Sequence, residues 1–232
     1  MIPLKDDIAI RRTPVVTVGL VAVNVAVFLW QELVIGLARS VETGGAIPYE
    51  ILTFHDVGPT DLVPPPFTIL TSMFLHGGFL HIAGNMLFLW IFGNNVEDAL
   101  GRARFLLFYL TCGIAAALAQ VGVTALGSDP AALMVPMIGA SGAIAGVLAA
   151  YMILFPRARV LTLVFIFIFV RLLYLPASFF IGLWFVIQLV NSFLSEGAGG
   201  VAFVAHVGGF VTGWLLLKLL APHRLDRHRF GS

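Results

Sequence analysis

Four polar side chains interrupt long apolar runs in this sequence: His81, Asn85, Ser141 and His206. Polar groups are costly in an apolar setting, so each one needs a reason. A serine hydroxyl is a poor nucleophile at neutral pH until a base takes its proton. His206 is the candidate base for Ser141. No Asp or Glu lies in the last apolar run to orient that imidazole, so the pair would act as a two-residue serine–histidine system. Attack on an amide carbonyl creates an oxyanion, which needs hydrogen-bond donors. His81 and Asn85 are four residues apart and share one helical face. An imidazole N–H and a carboxamide NH2 can there point at one oxygen. The Ser141 backbone N–H, near a helix start, offers another donor. Taken singly, each residue also has a plain reading as a packing or helix-linking group.

These residues must be carried by elements that bring them to one depth. Apolar runs cover about residues 15–37, 79–95, 105–127, 137–155, 174–194 and 201–220. A bilayer core of about 30 Å needs about 20 helical residues, so each run reads as a span. Residues 160–170 are apolar too, but only 11 residues precede Arg171. That is short for a span and fits a re-entrant or interfacial piece. Residues 38–76 form a large loop whose apolar part, 67–75, suits the interface. His81, Ser141 and His206 then each fall within about two turns of the start of the second, fourth and sixth helices. Those three helices run in the same direction, so the polar groups share a shallow depth. Gly142, Gly146, Gly209 and Gly213 recur at a spacing of four, which permits close helix–helix approach.

The whole composition agrees. Of 232 residues 59% are hydrophobic and 11% charged, with a mean hydropathy of +1.00. Such a chain is a polytopic membrane protein rather than a soluble domain. With six spans and an internal start, twelve of the 13 Lys and Arg residues fall inside and only Arg39 outside. That is a strong positive-inside pattern. The expected fold is all-α: residues 1–13 as a cytoplasmic segment, 14–220 as a six-helix membrane domain, and 221–232 as a basic cytoplasmic tail. A net charge of +1 implies no nucleic-acid partner, and a single cysteine, Cys112, excludes an intrachain disulfide or cysteine-based zinc cluster. A zinc hydrolase would commonly show His-Glu-x-x-His, which is absent, so no metal or other cofactor is expected. A transporter would usually place ionisable residues or broken helices near the midplane, and no internal repeat is evident.

Three motifs together resemble the rhomboid family of intramembrane serine proteases. His76-Gly-Gly-Phe-Leu-His81-Ile-Ala-Gly-Asn85 is similar to its His, four residues, His, three residues, Asn pattern. Gly139-Ala140-Ser141-Gly142 resembles its Gly-x-Ser-Gly motif. Ala205-His206-Val207-Gly208-Gly209, continuing to Gly213, resembles its Ala-His-x-x-Gly-x-x-x-Gly motif. The resemblance covers nearly the whole chain. It implies that Ser141 is the nucleophile, His206 the general base, and His81 and Asn85 the oxyanion donors, with His76 in support. It implies substrates that are single-span membrane proteins cut near the outer face, in a cell (inner) membrane with both termini cytoplasmic. The 38–76 loop would correspond to the family's membrane-embedded first loop. The fifth helix, with Phe180, Trp184 and Phe185, would resemble its lateral gate.

Two positions depart from many members. Phe67-Thr68 stands where a Trp-Arg pair is common, so the loop needs another anchor. Ala145 stands where some members stack an aromatic ring on the catalytic histidine, so another residue must orient His206. The rival to a protease is a non-catalytic relative that binds transmembrane helices of client proteins. The sequence leaves the oligomeric state open.

Overall fold

Long runs of aliphatic and aromatic residues with few charges form the helices of the computed structural model, which describes residues 1–58, 63–166, 169–194 and 203–220. A strand β1 (Ile2–Asp6) precedes α1 (Val15–Trp30), which continues as a wider π turn to Ile35. Three short helices follow: α2 (Leu37–Gly44), α3 (Pro48–Thr53) and α4 (Thr68–Ser72). Next come α5 (Phe79–Phe88), a π turn, α6 (Asn94–Leu100), α7 (Arg102–Leu126) and α8 (Ser141–Leu154). Strands β2 (Arg159–Ile166) and β3 (Phe169–Pro176) lead to α9 (Ala177–Leu194) and α10 (Phe203–Leu220). Among the described residues, three stretches, Val15–Ile35, Arg102–Leu126 and Phe203–Leu220, are long and apolar enough to cross a membrane, and Ser141–Leu154 and Ala177–Asn191 are shorter apolar helices. The chain is a helical membrane protein. The tail expected at 221–232, with His223 and His228, lies outside the described residues.

The core is built around α8. Nearly every side chain of this helix from Gly142 to Leu154 is buried, against α7 and α10. The close fit needs glycine. A Cβ on Gly209 would run into the Gly142 carbonyl, and one on Gly213 into the Gly146 backbone. The two helices therefore touch backbone to backbone through the glycine faces. Large apolar side chains such as Leu33, Leu80 and Leu126 point outward, as a lipid solvent permits.

Residues 158–176 differ from expectation. The described residues here are largely strand, and the fifth helix starts at Ala177 rather than near residue 174. They make an antiparallel hairpin in which Val160 pairs with Leu175 and Phe165 with Val170. β1 adds to β2, giving the order β1-β2-β3. The segment is rich in Val, Leu, Phe and Thr, types that favour strands, and a partner strand tips it into a sheet. Its inner face buries Pro3, Val160 and Thr162. Asp6 fastens β1 to the helices, accepting from the Tyr151 hydroxyl at 2.5 Å and from Asn95 Nδ2 at 2.6 Å. This sheet is an addition to the expected helical architecture.

Candidate active site

Ser141 is the first residue of α8, and the chain before it is held from both sides. Met137 and Ala46 exchange two backbone hydrogen bonds, each of 2.9 Å. Gly139 N–H donates to the Ser72 carbonyl at 2.8 Å. The loop 38–76 is thus a structured support for the segment that delivers the serine. Its anchors are Thr71, whose hydroxyl donates to the Gly44 carbonyl at 2.7 Å, and Gln31. The Gln31 amide accepts from His76 N–H at 3.0 Å and donates to the His76 carbonyl at 3.3 Å and the Ser40 hydroxyl at 2.9 Å. At the departing pair, Phe67 is exposed, while the Thr68 hydroxyl donates to the Pro65 carbonyl.

The glycine contacts between α8 and α10 bring His206 beside Ser141. The separation from His206 Nε2 to Ser141 Oγ is 2.7 Å, within reach for proton transfer. His206 is buried and Ser141 half-buried. The other ring nitrogen, Nδ1, lies 2.8 Å from Gln188 Oε1 on α9. Trp184, one turn earlier on α9, packs against the imidazole with ring centroids 5.7 Å apart. Phe203 of α10 meets the same ring edge-on, with centroids 6.5 Å apart, so the aromatic neighbours of His206 come from α9 and α10 and not from position 145. At the start of α10, Ala205 N–H donates to Gln120 Oε1 of α7 at 3.2 Å.

His81 and Asn85 stand together against Gly139, two residues before the serine. Gly139 has φ +117°, a conformation that suits glycine, and a Cβ there would sit 2.8 Å from His81 Nε2 and 3.6 Å from Asn85 Nδ2. Gly77 N–H donates to His81 Nδ1 at 3.2 Å. A neutral His81 then carries its proton on Nε2, the nitrogen that faces Gly139. Asn85 Nδ2 is buried and has no hydrogen-bond partner among the described residues. An unpaired buried donor is costly and rare, and it is what a site kept open for an acceptor looks like. His76 meets His81 edge-on, with centroids 5.1 Å apart. No side chain caps the first turn of α8, so its leading N–H groups stay available as donors. Among the described residues no group of three or more His, Cys, Asp or Glu side chains could hold a metal ion.

Sequence reasoning passed over Gln188 and Gln31, and it placed Trp184 in a lateral gate rather than beside His206. The signal for the two glutamines was available. Each is a long amide in an apolar run, and such a group needs a partner. Trp184 and Gln188 are also four residues apart, hence on one face of α9.

The rhomboid-domain family model matches residues 65–223, a stretch that includes all four site residues. The chain belongs to the rhomboid family. It is 30% identical over 218 residues to rhomboid protein 1, mitochondrial, of Saccharomyces cerevisiae, covering 90% of this chain and 55% of the relative. It is 27% identical over 226 residues to the rhomboid protease AarA of Providencia stuartii, covering 90% of this chain and 74% of that protein. It is 32% identical over 139 residues to the rhomboid protease GluP of Bacillus subtilis, covering 61% and 24%. The chain spans about half the length of the yeast relative. Two of these relatives are named proteases.

Proposed function

We propose that this rhomboid is an intramembrane serine endopeptidase that cuts peptide bonds in or near transmembrane segments of membrane proteins. The observation that carries the reading is the 2.7 Å contact between Ser141 Oγ and His206 Nε2 at the buried junction of α8 and α10. His206 takes the hydroxyl proton as Oγ attacks the scissile carbonyl carbon. The carbonyl oxygen becomes an oxyanion, met by His81 Nε2–H, Asn85 Nδ2–H and the Ser141 backbone N–H. The C–N bond then breaks and His206 gives its proton to the departing amine. Water, deprotonated by His206, attacks the acyl-serine, releases the new carboxylate end and restores Ser141. Two relatives bear the name protease, which supports the same reading.

The substrate is a single-span membrane protein that approaches from the lipid, in a cell membrane with both termini of the enzyme cytoplasmic. An intact helix hides its carbonyls in i→i−4 bonds, so weak helix formers near the cleaved bond favour cutting. A fluorophosphonate probe tests the nucleophile: Ser141 Oγ displaces fluoride from phosphorus only when it is activated. Mass spectrometry is expected to find the adduct on Ser141 in wild type and none in Ser141→Ala or His206→Ala. An adduct at another residue, or equal labelling of His206→Ala, would contradict the assignment. A folded wild type that takes no label and cuts nothing would favour a helix-binding relative without catalysis.

A further inference from the structure

We infer that Gln188 is a positioning residue that fixes the proton of His206 on Nδ1 and so leaves Nε2 free to accept the proton of Ser141. The inference rests on the serine protease reading and adds a third member to the site, supplied by α9. Both nitrogens of the His206 ring are engaged, Nε2 by Ser141 Oγ at 2.7 Å and Nδ1 by Gln188 Oε1 at 2.8 Å. A neutral imidazole has one N–H and one lone pair, and the partner of one nitrogen decides which is which. An amide oxygen only accepts. Facing Nδ1, it keeps the proton there. Nε2 then presents its lone pair to the serine hydroxyl, the arrangement that proton abstraction needs. In the opposite tautomer Nε2–H would donate to Oγ, and His206 could take nothing.

The surroundings explain why an amide does this work. Trp184 lies one turn before Gln188 and packs against the same ring at a tilt of 42°, so α9 touches the imidazole at two points. Phe185 stacks on Phe210 of α10 with centroids 4.2 Å apart, which keeps the two helices in register. A carboxylate at position 188 would orient the ring equally well, but an ionised side chain inside a membrane is expensive. A neutral glutamine sets the tautomer without adding a charge.

The test uses the full chain in lipid and three variants: Gln188→Leu, which removes the acceptor, and Gln188→Glu and Gln188→Asn, which keep an oxygen at full and shorter reach. Steady-state cleavage of a single-span model substrate is measured beside 15N spectra of the histidine rings, with His206→Ala assigning the signals. In wild type the His206 proton is expected on Nδ1. Gln188→Leu moves it to Nε2 and lowers kcat about 100-fold, with KM little changed. Gln188→Glu restores Nδ1–H and most of kcat, since either protonation state offers an oxygen, and Gln188→Asn falls between. A wild-type proton on Nε2 would overturn the inference. So would a ring pattern unchanged in Gln188→Leu, or a Leu variant with wild-type kcat. If wild type cuts nothing, the protease reading fails on its own. The ring pattern then still decides whether Gln188 sets the tautomer.

Discussion

Asn85 has a buried amide nitrogen without a partner among the described residues, placed against Gly139 near Ser141. In the resting protein that donor is a burden of about 1–3 kcal/mol. In the transition state it would meet the oxyanion. Asn85→Ala is therefore expected to raise thermal stability while lowering kcat about 100- to 1,000-fold, the usual effect of removing one oxyanion donor. Melting curves and single-substrate kinetics on the same preparation check both signs. Gln31 behaves oppositely, because its amide satisfies the backbone N–H and carbonyl of His76. Gln31→Leu leaves both buried groups unpaired and is expected to cost about 1–3 kcal/mol by denaturant titration. The sequence permitted the juxtaposition of Ser141 and His206 without fixing it, since each interrupts an apolar run near a helix start and glycines mark where those helices can touch. Gln188 was not legible as the partner of His206. Nothing in the chain order says which face of α9 meets α10.

At the scale of elements, glycine spacing and a borrowed cap set the geometry. Gly213 lies against the Gly146 backbone, so Gly213→Val is expected to part α8 from α10. Ser141 and His206 would then lose their hydrogen bond. Labelling of Ser141 should fall to the level of His206→Ala even where circular dichroism shows helix content intact. The start of α1 has no capping side chain of its own. Glu97 of α6 serves instead, accepting from Val16 N–H at 3.0 Å, Thr17 N–H at 2.7 Å and the Thr17 hydroxyl at 2.8 Å. Glu97→Ala is expected to lower unfolding free energy by about 1–3 kcal/mol, read by denaturant titration, with Glu97→Gln milder because one oxygen remains. Helix positions were readable from run length because a bilayer imposes a minimum. The β2–β3 hairpin was not. A continuous apolar run of Val, Leu and Phe suits a helix or a strand alike, and the partner that decides, β1, lies more than 150 residues earlier in the chain.

Across the whole molecule, Asp6 ties the first strand to the ends of α6 and α8 through Asn95 and Tyr151. Burial, aided by the nearby Asp7 charge and opposed by the Tyr151 hydrogen bond, holds the Asp6 carboxyl above the ordinary aspartate range. The folded chain therefore keeps this proton to higher pH than the unfolded chain, which loses it near about 4. Stability should fall as pH climbs through that window and level off once both states are ionised. Asp6→Asn is expected to flatten this part of the stability–pH curve, and an unchanged slope would assign it elsewhere. The rhomboid reading as a whole stands or falls on proteolysis. Purified protein in liposomes, given a single-span model substrate with products mapped by mass spectrometry, is the most direct measurement. One dominant cut is expected near a membrane boundary of the substrate, abolished in Ser141→Ala and in His206→Ala and indifferent to chelators. Cleavage that survives Ser141→Ala, or that chelation stops, would contradict it.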